Sequence, residues 1–124
     1  MADFSLEGYV SVITGAAGGL GRAMALAFAE AGSDIVVADI KQSGAIETTQ
    51  MLRAKGVKAT AVCCDICDHQ QVRDLADRVL HEYGKVDVLV NNAGVFQDGP
   101  AEEIDFIADW RRVMDTNVDG TFYM

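Results

Sequence analysis

The residues from Thr14 to Gly21 are rich in glycine, and their order points to a chemistry. They follow an apolar run, Tyr9 to Ile13, that predicts a strand, and they lead into apolar residues spaced four apart (Leu20, Met24 and Phe28), which predict a helix. Glycines let the backbone turn sharply and approach a bound group closely. The first amides of a helix present unpaired N–H groups and a positive dipole end, both of which favour an anion. The stretch therefore predicts a phosphate cradle for a dinucleotide, and a tight turn without a ligand is the alternative.

A carboxylate, Asp39, ends the next apolar run. It follows the glycines at the distance where an acid accepts hydrogen bonds from the ribose hydroxyls of NAD and repels the extra phosphate of NADP. Lys41 is the one nearby residue that would favour that phosphate. The pattern predicts tighter binding of NAD than of NADP, unless Asp39 is an ordinary acid at a strand end.

A third motif, Asn91-Asn92-Ala93-Gly94, follows another apolar run, Val88 to Val90. Amide side chains bond backbone across the ends of neighbouring strands, and small residues leave room for a ligand. Ligands of parallel sheets lie outside the carboxyl ends of the strands, where the strand order reverses. The glycine motif follows the first strand and the N-N-A-G motif follows the fourth. The sequence therefore predicts one cofactor cleft between these two strands.

The glycine motif, T-G-x-x-x-G-x-G, and the N-N-A-G motif together resemble those of the short-chain dehydrogenase/reductase family. The glycine spacing differs from the G-x-G-x-x-G fingerprint of other dinucleotide sites. The resemblance identifies the chain as the N-terminal, cofactor-binding half of such an enzyme. It implies an NAD-dependent oxidoreductase that moves hydride between the nicotinamide and a carbon of a small-molecule alcohol or ketone. It also implies a homo-oligomer.

The resemblance assigns roles to single residues. Gly18 agrees with NAD, because many members that prefer NADP carry a basic residue there. Asp65 matches an acid that contacts adenine, although an Asp that opens a turn before a helix is also common. Asn117 matches the family's catalytic Asn, which holds a water of the proton relay, although it could simply cap or break the helix. The predicted cofactor-binding residues are Gly15, Gly18, Gly19, Leu20, Gly21, Asp39, Ile40, Asp65, Ile66, Asn91, Ala93 and Gly94.

The family's reaction also uses a Tyr as general acid and base, a Lys four residues later and a Ser that orients the substrate. No Tyr-x-x-x-Lys occurs in the 124 residues. We expect that pair to lie beyond Met124, so that residues 1–124 form one dinucleotide-binding domain, truncated before the catalytic segment and inactive alone. Residues Asp3 to Gly8 resemble the leader of members that act on sugar alcohols, sugar acids or small ketones.

Two other functions stay open. The chain could be a non-catalytic nucleotide-binding module or partner subunit that covers an open sheet edge by self-association. It could also be a thiol redox protein, because Cys64 and Cys67 form a C-x-x-C spacing. Zinc spacings are not met, so no metal site is predicted. Buried cysteines are often small core residues, and we expect Cys63 and Cys64 to be buried on a strand.

The motifs lie on alternating strands and helices. The predicted strands are 9–14, 34–39, 57–65 and 86–91, and the predicted helices are 20–31, 43–55, 69–83 and much of 102–124. Ser43 is the predicted N-cap of the second helix, and Asp68 precedes the third with Gln71 three residues later. This alternation predicts an α/β fold, a doubly wound parallel sheet (Rossmann-like) of which only the first half is present, with strand order 3-2-1-4. The fourth strand, although apolar, then lies at an open edge.

Composition and charge exclude some classes of binding partner. The formal net charge of -9 disfavours nucleic acid and anionic membrane surfaces. No apolar stretch reaches the length of a membrane span, and the acidic first residues do not form a signal peptide. We therefore expect a cytoplasmic protein with no nucleic-acid or membrane partner.

Overall fold

Four parallel strands form one sheet in the computed structural model, which describes residues 4–96, 100–103 and 105–124. The strands are β1 (Val10–Thr14), β2 (Asp34–Asp39), β3 (Ala59–Cys63) and β4 (Val88–Val90), in the order β3-β2-β1-β4. This confirms the predicted order. Val12 of β1 pairs with Val36 of β2 on one side and with Leu89 of β4 on the other, so β1 and β2 are the central strands.

Helices connect the strands. They are α1 (Gly19–Glu30), α2 (Gln42–Arg53) and α3 (His69–Tyr83). After β4 the chain forms a 3-10 turn (Ala101–Glu103), α4 (Phe106–Met114), a π-helical turn (Asp115–Gly120) and the short α5 (Thr121–Tyr123). None of the helices in the described ranges has both the length and the apolar character of a membrane span.

The central strands are buried on both faces, as their continuous apolar runs predict. Ile35 and Val37 of β2 pack with residues of α1 and α2, among them Ala25 and Leu52. Their neighbour Val36 points to the other face. There it lies in a second cluster that includes Val12 of β1, Val62 of β3, and Val72, Leu75 and Val79 of α3. The alternation of side chains along a strand therefore divides the core into two layers.

Several predictions about the ends of elements and about burial were wrong. Ser43 lies inside α2, whose N-cap is Lys41, because the carboxylate of Asp39 takes the Lys41 N–H at 2.9 Å and sets the turn earlier. Cys63 is exposed, because it ends β3, an edge strand. β4 is only three residues long and Leu89 is 38% exposed, as an edge position allows.

The last predicted helix, 102–124, is divided into the elements given above. Asn117 lies in the π-helical turn, and Asn is a poor helix former. Residues 1–3, 97–99 and 104 lie outside the described part of the chain, so parts of the predicted leader, loop and last helix fall there.

Candidate cofactor-binding site

A cleft of about 870 Å³ opens at the carboxyl ends of the strands. Most of the predicted cofactor-binding residues line it: Gly15, Gly18, Gly19, Asp39, Ile40, Asp65, Ile66, Ala93 and Gly94. Leu20, Gly21, Asn91 and Asn117 are not among the lining residues. Leu20 is 70% exposed at the start of α1, and Asn91 is also exposed. The structure thus brings residues from three separate motifs to one cleft.

The glycine loop packs too closely for side chains at two positions. Gly15 has φ +69°, and a Cβ there would lie 2.9 Å from Cα of Ala93. A Cβ on Gly21 would lie 2.6 Å from Nδ2 of Asn92. Gly21 therefore acts through packing, since it lets α1 start directly against the loop that follows β4.

The N-terminus of α1 is open towards ligands. The first N–H groups of a helix have no partner inside it. Asp68 and Asp105 cap α3 and α4 with their carboxylates, whereas the N-cap of α1 is Gly18, which has no side chain to bond these groups. These N–H groups and the helix dipole favour an anion such as a pyrophosphate.

Thr14 and Asn92 hold the ends of β1 and β4 together. The Thr14 hydroxyl accepts N–H bonds from Asn92 (3.1 Å) and Ala93 (2.9 Å) and donates to the carbonyl of Val90 (3.3 Å). The Asn92 amide donates to the carbonyls of Thr14 (3.1 Å) and Gly15 (3.2 Å). The expected backbone bonding by an amide side chain is therefore made by Asn92.

Asp39 stands at the end of β2, beside the glycine loop. Its Oδ2 accepts the N–H of Ala17 at 3.0 Å, and its Oδ1 accepts the N–H of Lys41 at 2.9 Å. Each carboxylate oxygen has two lone pairs, so capacity remains for ribose hydroxyls. The carboxylate therefore lines the cleft and is held in place by two backbone N–H groups.

Asp65 and Ile66 form the wall of the cleft after β3. Oδ1 of Asp65 accepts the N–H of Cys67 at 2.9 Å, and its own N–H donates to Oε1 of Gln71 at 2.8 Å. Ile66 is buried and packs against the π-helical turn, since a Cβ on Gly120 would lie 2.6 Å from Cγ1 of Ile66. The turn is thereby fixed against the cleft wall.

Asn117 binds the peptide backbone of Val95 with both ends of its amide. Its Oδ1 accepts the Val95 N–H at 2.8 Å, and its Nδ2 donates to the Val95 carbonyl at 2.7 Å. Gly94 lies close by, because a Cβ there would be 3.2 Å from Oδ1 of Asn117. Asn117 therefore joins the π-helical turn to the loop that follows β4, next to the cleft.

The two thiols of the C-x-x-C spacing are poorly suited to redox chemistry. Cys64 is 1% exposed, and burial, with the charge of Asp65, raises the pKa of its thiol to about 11. Burial also raises the pKa of Cys67, whose Sγ lies 3.5 Å from the hydroxyl oxygen of Thr116. Reactive thiols need a lowered pKa. In the described residues, no three His, Cys, Asp or Glu side chains form a metal-binding group.

Several residues of the cleft were missed by sequence reasoning. Asn92 belongs to the N-N-A-G motif, but its neighbours Asn91, Ala93 and Gly94 were predicted as the cofactor-binding residues. Ala17 stood in the glycine motif, and Lys41, Ser43, Cys64 and Cys67 were considered for other roles. No motif indicated Ala38, Gly44, Val95, Arg112 or Thr116. Arg112 donates to the carbonyl of Phe96 at 3.0 Å. No spacing in the sequence relates these last residues to a motif, so only the folded chain shows that they line the cleft.

Comparison with known proteins agrees with this geometry. The family model described as short chain dehydrogenase matches residues 9–124. The D-threitol dehydrogenase of Mycolicibacterium smegmatis is 39% identical over 122 residues, which cover 98% of this chain and 46% of that protein. The 7alpha-hydroxysteroid dehydrogenase of Escherichia coli (strain K12) is 39% identical over 123 residues, which cover 98% of this chain and 47% of that protein.

Among solved structures, an NAD+-bound xylitol dehydrogenase superposes with a TM-score of 0.89 at 35% identity. The match covers 94% of this chain and 45% of that one. The chain thus spans about half the length of the curated relatives that it matches.

Proposed function

The chain belongs to the short-chain dehydrogenase family, and from this premise we propose that it is the cofactor-binding half of an NAD-dependent oxidoreductase. The single observation that supports this most is the cleft in which Gly15, Asp39 and Ala93, from three separate motifs, meet at the carboxyl ends of the strands. Relatives of this chain are dehydrogenases, and one solved relative is bound to NAD+.

In the proposed complex, this chain binds and orients the cofactor. The N–H groups at the start of α1 hold the pyrophosphate, Asp39 accepts the ribose hydroxyls, and Asp65 with Ile66 packs at the adenine. Ala93 and Gly94 leave space beside the backbone. When bound, the nicotinamide supplies hydride transfer between its C4 and the carbinol or carbonyl carbon of the substrate.

The proton transfer needs residues that this chain does not contain. The 124 residues hold no Tyr-x-x-x-Lys, so Asn117 is the one residue of the proposed relay that lies here. We therefore propose that residues 1–124 are one dinucleotide-binding domain of a longer polypeptide and are inactive alone. The intact mass of the native gene product tests this, since a mass near 13.3 kDa would contradict it.

For the whole protein we propose an alcohol substrate, and we infer a polyol from the relatives named for D-threitol and for xylitol. The 7alpha-hydroxysteroid dehydrogenase matches equally well, so a steroid alcohol is the alternative. We further propose a homo-oligomer in a reducing cytoplasm. The apolar side chains of Ile107, Trp110 and Phe122 are 79%, 63% and 85% exposed, as is typical of side chains that another subunit or segment covers, and the three cysteines are free thiols.

The deciding experiment is a titration of the native gene product with NADH and NADPH, followed by the fluorescence of the nicotinamide. Saturable binding of NADH, with weaker binding of NADPH, supports the proposal. No binding of either at millimolar concentration would refute it. Appearance of NADH from NAD with threitol or xylitol would then identify the polyol activity, and turnover of a steroid alcohol instead would overturn the substrate class.

A further inference from the structure

Arg22 lies in the first turn of α1, but its guanidinium is not part of the cleft lining. It reaches across to α2 and is 23% exposed. Nη2 donates to the carbonyl of Ala17 at 2.7 Å and Nε donates to the hydroxyl of Thr48 at 2.9 Å. Nη1 pairs with the exposed Glu47 at 3.2 Å. The guanidinium therefore bonds groups of the glycine loop and of α2 and lies outside the lining of the cleft.

Two consecutive carbonyls of the glycine loop are held by this arrangement. Thr48, which is fully buried, donates its hydroxyl to the carbonyl of Ala16 at 2.8 Å while it accepts from Arg22. Arg22 holds the carbonyl of Ala17. Because a trans peptide is planar, its C=O and N–H point in opposite directions, and fixing one fixes the other.

This geometry determines where the N–H groups point. The N–H of Ala17 belongs to the same peptide as the Ala16 carbonyl, and it points to Asp39 on the cleft side. By the same rule, the Ala17 carbonyl held by Arg22 turns the N–H of Gly18 away from α2. Ala17 and Gly18 both line the cleft. A released carbonyl could rotate into the cradle, where its negative end would repel a phosphate.

We propose that Arg22 is a positioning residue for the cofactor phosphates, which acts through the backbone of the glycine loop without touching the cofactor. Its planar fork can bond the carbonyl of Ala17 and the hydroxyl of Thr48 together, which the single ammonium of a lysine cannot match. α2 packs closely against this carbonyl, because a Cβ on Gly44 would lie 2.8 Å from the Ala17 carbonyl oxygen. The inference rests on the proposed function, since it assumes a dinucleotide in the cleft.

The test compares a ligand that has phosphates with one that has none. NADH and adenosine are titrated into the native gene product and its Arg22→Met variant, with adenosine measured by competition or NMR. We expect Arg22→Met to weaken the binding of NADH about tenfold, because charge-assisted bonds to the loop are lost, and to weaken the binding of adenosine by less than about twofold. Arg22→Lys should recover part of the NADH affinity. Lys55→Met is the matched control, since it removes a cation from another exposed ion pair, with Glu30, and should leave both affinities unchanged.

The outcomes separate the two proposals. If the unmodified protein does not bind NADH, the proposed function fails. If it binds NADH but Arg22→Met changes the affinity by less than about twofold, or weakens NADH and adenosine equally, the positioning role is wrong. Should Arg22→Met not fold, Thr48→Val tests the same carbonyls, with Thr48→Ser as its control. Thr48→Val must then reproduce the selective loss of NADH, and equal loss of both ligands overturns the proposal.

Discussion

Oδ2 of Asp39 lies 3.0 Å from the backbone nitrogen of Ala17, so the acid at the end of β2 also holds the glycine loop. One carboxylate thereby links the two parts of the predicted site, the ribose position and the phosphate cradle. Its second oxygen holds the start of α2 through the Lys41 N–H. A change at Asp39 should consequently affect cofactor choice and loop geometry together.

Asp39→Asn removes the charge and keeps an acceptor oxygen for one of the two backbone N–H groups, so it disturbs the loop less than a change that removes both acceptors. We expect NADH to bind somewhat more weakly and NADPH more tightly, so that the ratio of their dissociation constants shifts about tenfold towards NADPH. Titration of both cofactors measures this ratio. Asp34→Asn, at the other end of the same strand, is the control. An unchanged ratio would show that Asp39 does not face the 2′ position of the ribose.

Gly21→Ala should damage the join between β1 and β4. The added Cβ would lie 2.6 Å from Nδ2 of Asn92, whose amide bonds the carbonyls of Thr14 and Gly15. We expect unfolding to become easier by about 1–3 kcal/mol, as for other overpacked sites. Gly18→Ala meets open space and should cost less, at most about 1 kcal/mol from the poorer N-cap. Urea denaturation of both variants measures the difference, and equal stabilities would contradict the packing argument.

The sequence predicted the fold well because its strong signals are local. Apolar runs such as Ile35 to Val37 identify strands without any long-range information. The order β3-β2-β1-β4 then follows from the handedness of the connections. Prediction from the sequence failed where a distant contact determines the local structure. Asp39 sets the start of α2. Contacts of Asn117 with Val95 and of Gly120 with Ile66 accompany the π-helical turn.

The same distinction applies to the cleft. Gly15, Asp39 and Ala93 stand in motifs and were predicted from the sequence. Arg112 of α4 and Thr116 of the π-helical turn stand in no motif, and only the folded chain brings them to the cleft. Arg22 was not singled out because an arginine in an amphipathic helix is ordinarily a solvated residue. Its bonds to Ala17 and Thr48 depend on how α2 packs against α1.

Asp68 makes the stability of α3 depend on pH. Its carboxylate accepts N–H bonds from Gln70 (2.9 Å) and Gln71 (3.3 Å) and a side-chain bond from Gln71 (3.1 Å). The Gln71 side chain, then the backbone N–H groups, lower the pKa of Asp68 below its ordinary value. Because the folded pKa is lowered, the stabilisation is present above the unfolded pKa and is lost as the pH falls through the folded one.

Asp68→Asn keeps a cap and removes this titration. We expect the urea midpoint of the unmodified protein to exceed that of the variant near neutral pH, and the difference to shrink as the pH is lowered towards about 3. A difference that stays constant or grows on acidification would contradict the role of the ionised carboxylate. Asp74→Asn is the matched variant, because Asp74 is an exposed acid on the same helix and accepts the side-chain N–H of Gln70.

Asn117 tests whether the π-helical turn serves catalysis as well as structure. Asn117→Ala removes both bonds to Val95, and Asn117→Asp places an oxygen where Nδ2 now donates to the Val95 carbonyl at 2.7 Å. The two oxygens would repel, so Asp should be at least as damaging as Ala in spite of its similar shape. We expect each variant to lose about 1 kcal/mol of stability, and kcat of the native gene product to fall further than NADH affinity does. Asp119→Asn, exposed in the same turn, should leave both quantities unchanged. If kcat and NADH affinity fall by the same factor, Asn117 acts only by holding Val95 and the loop at the cleft, and its assignment to the proton relay is wrong.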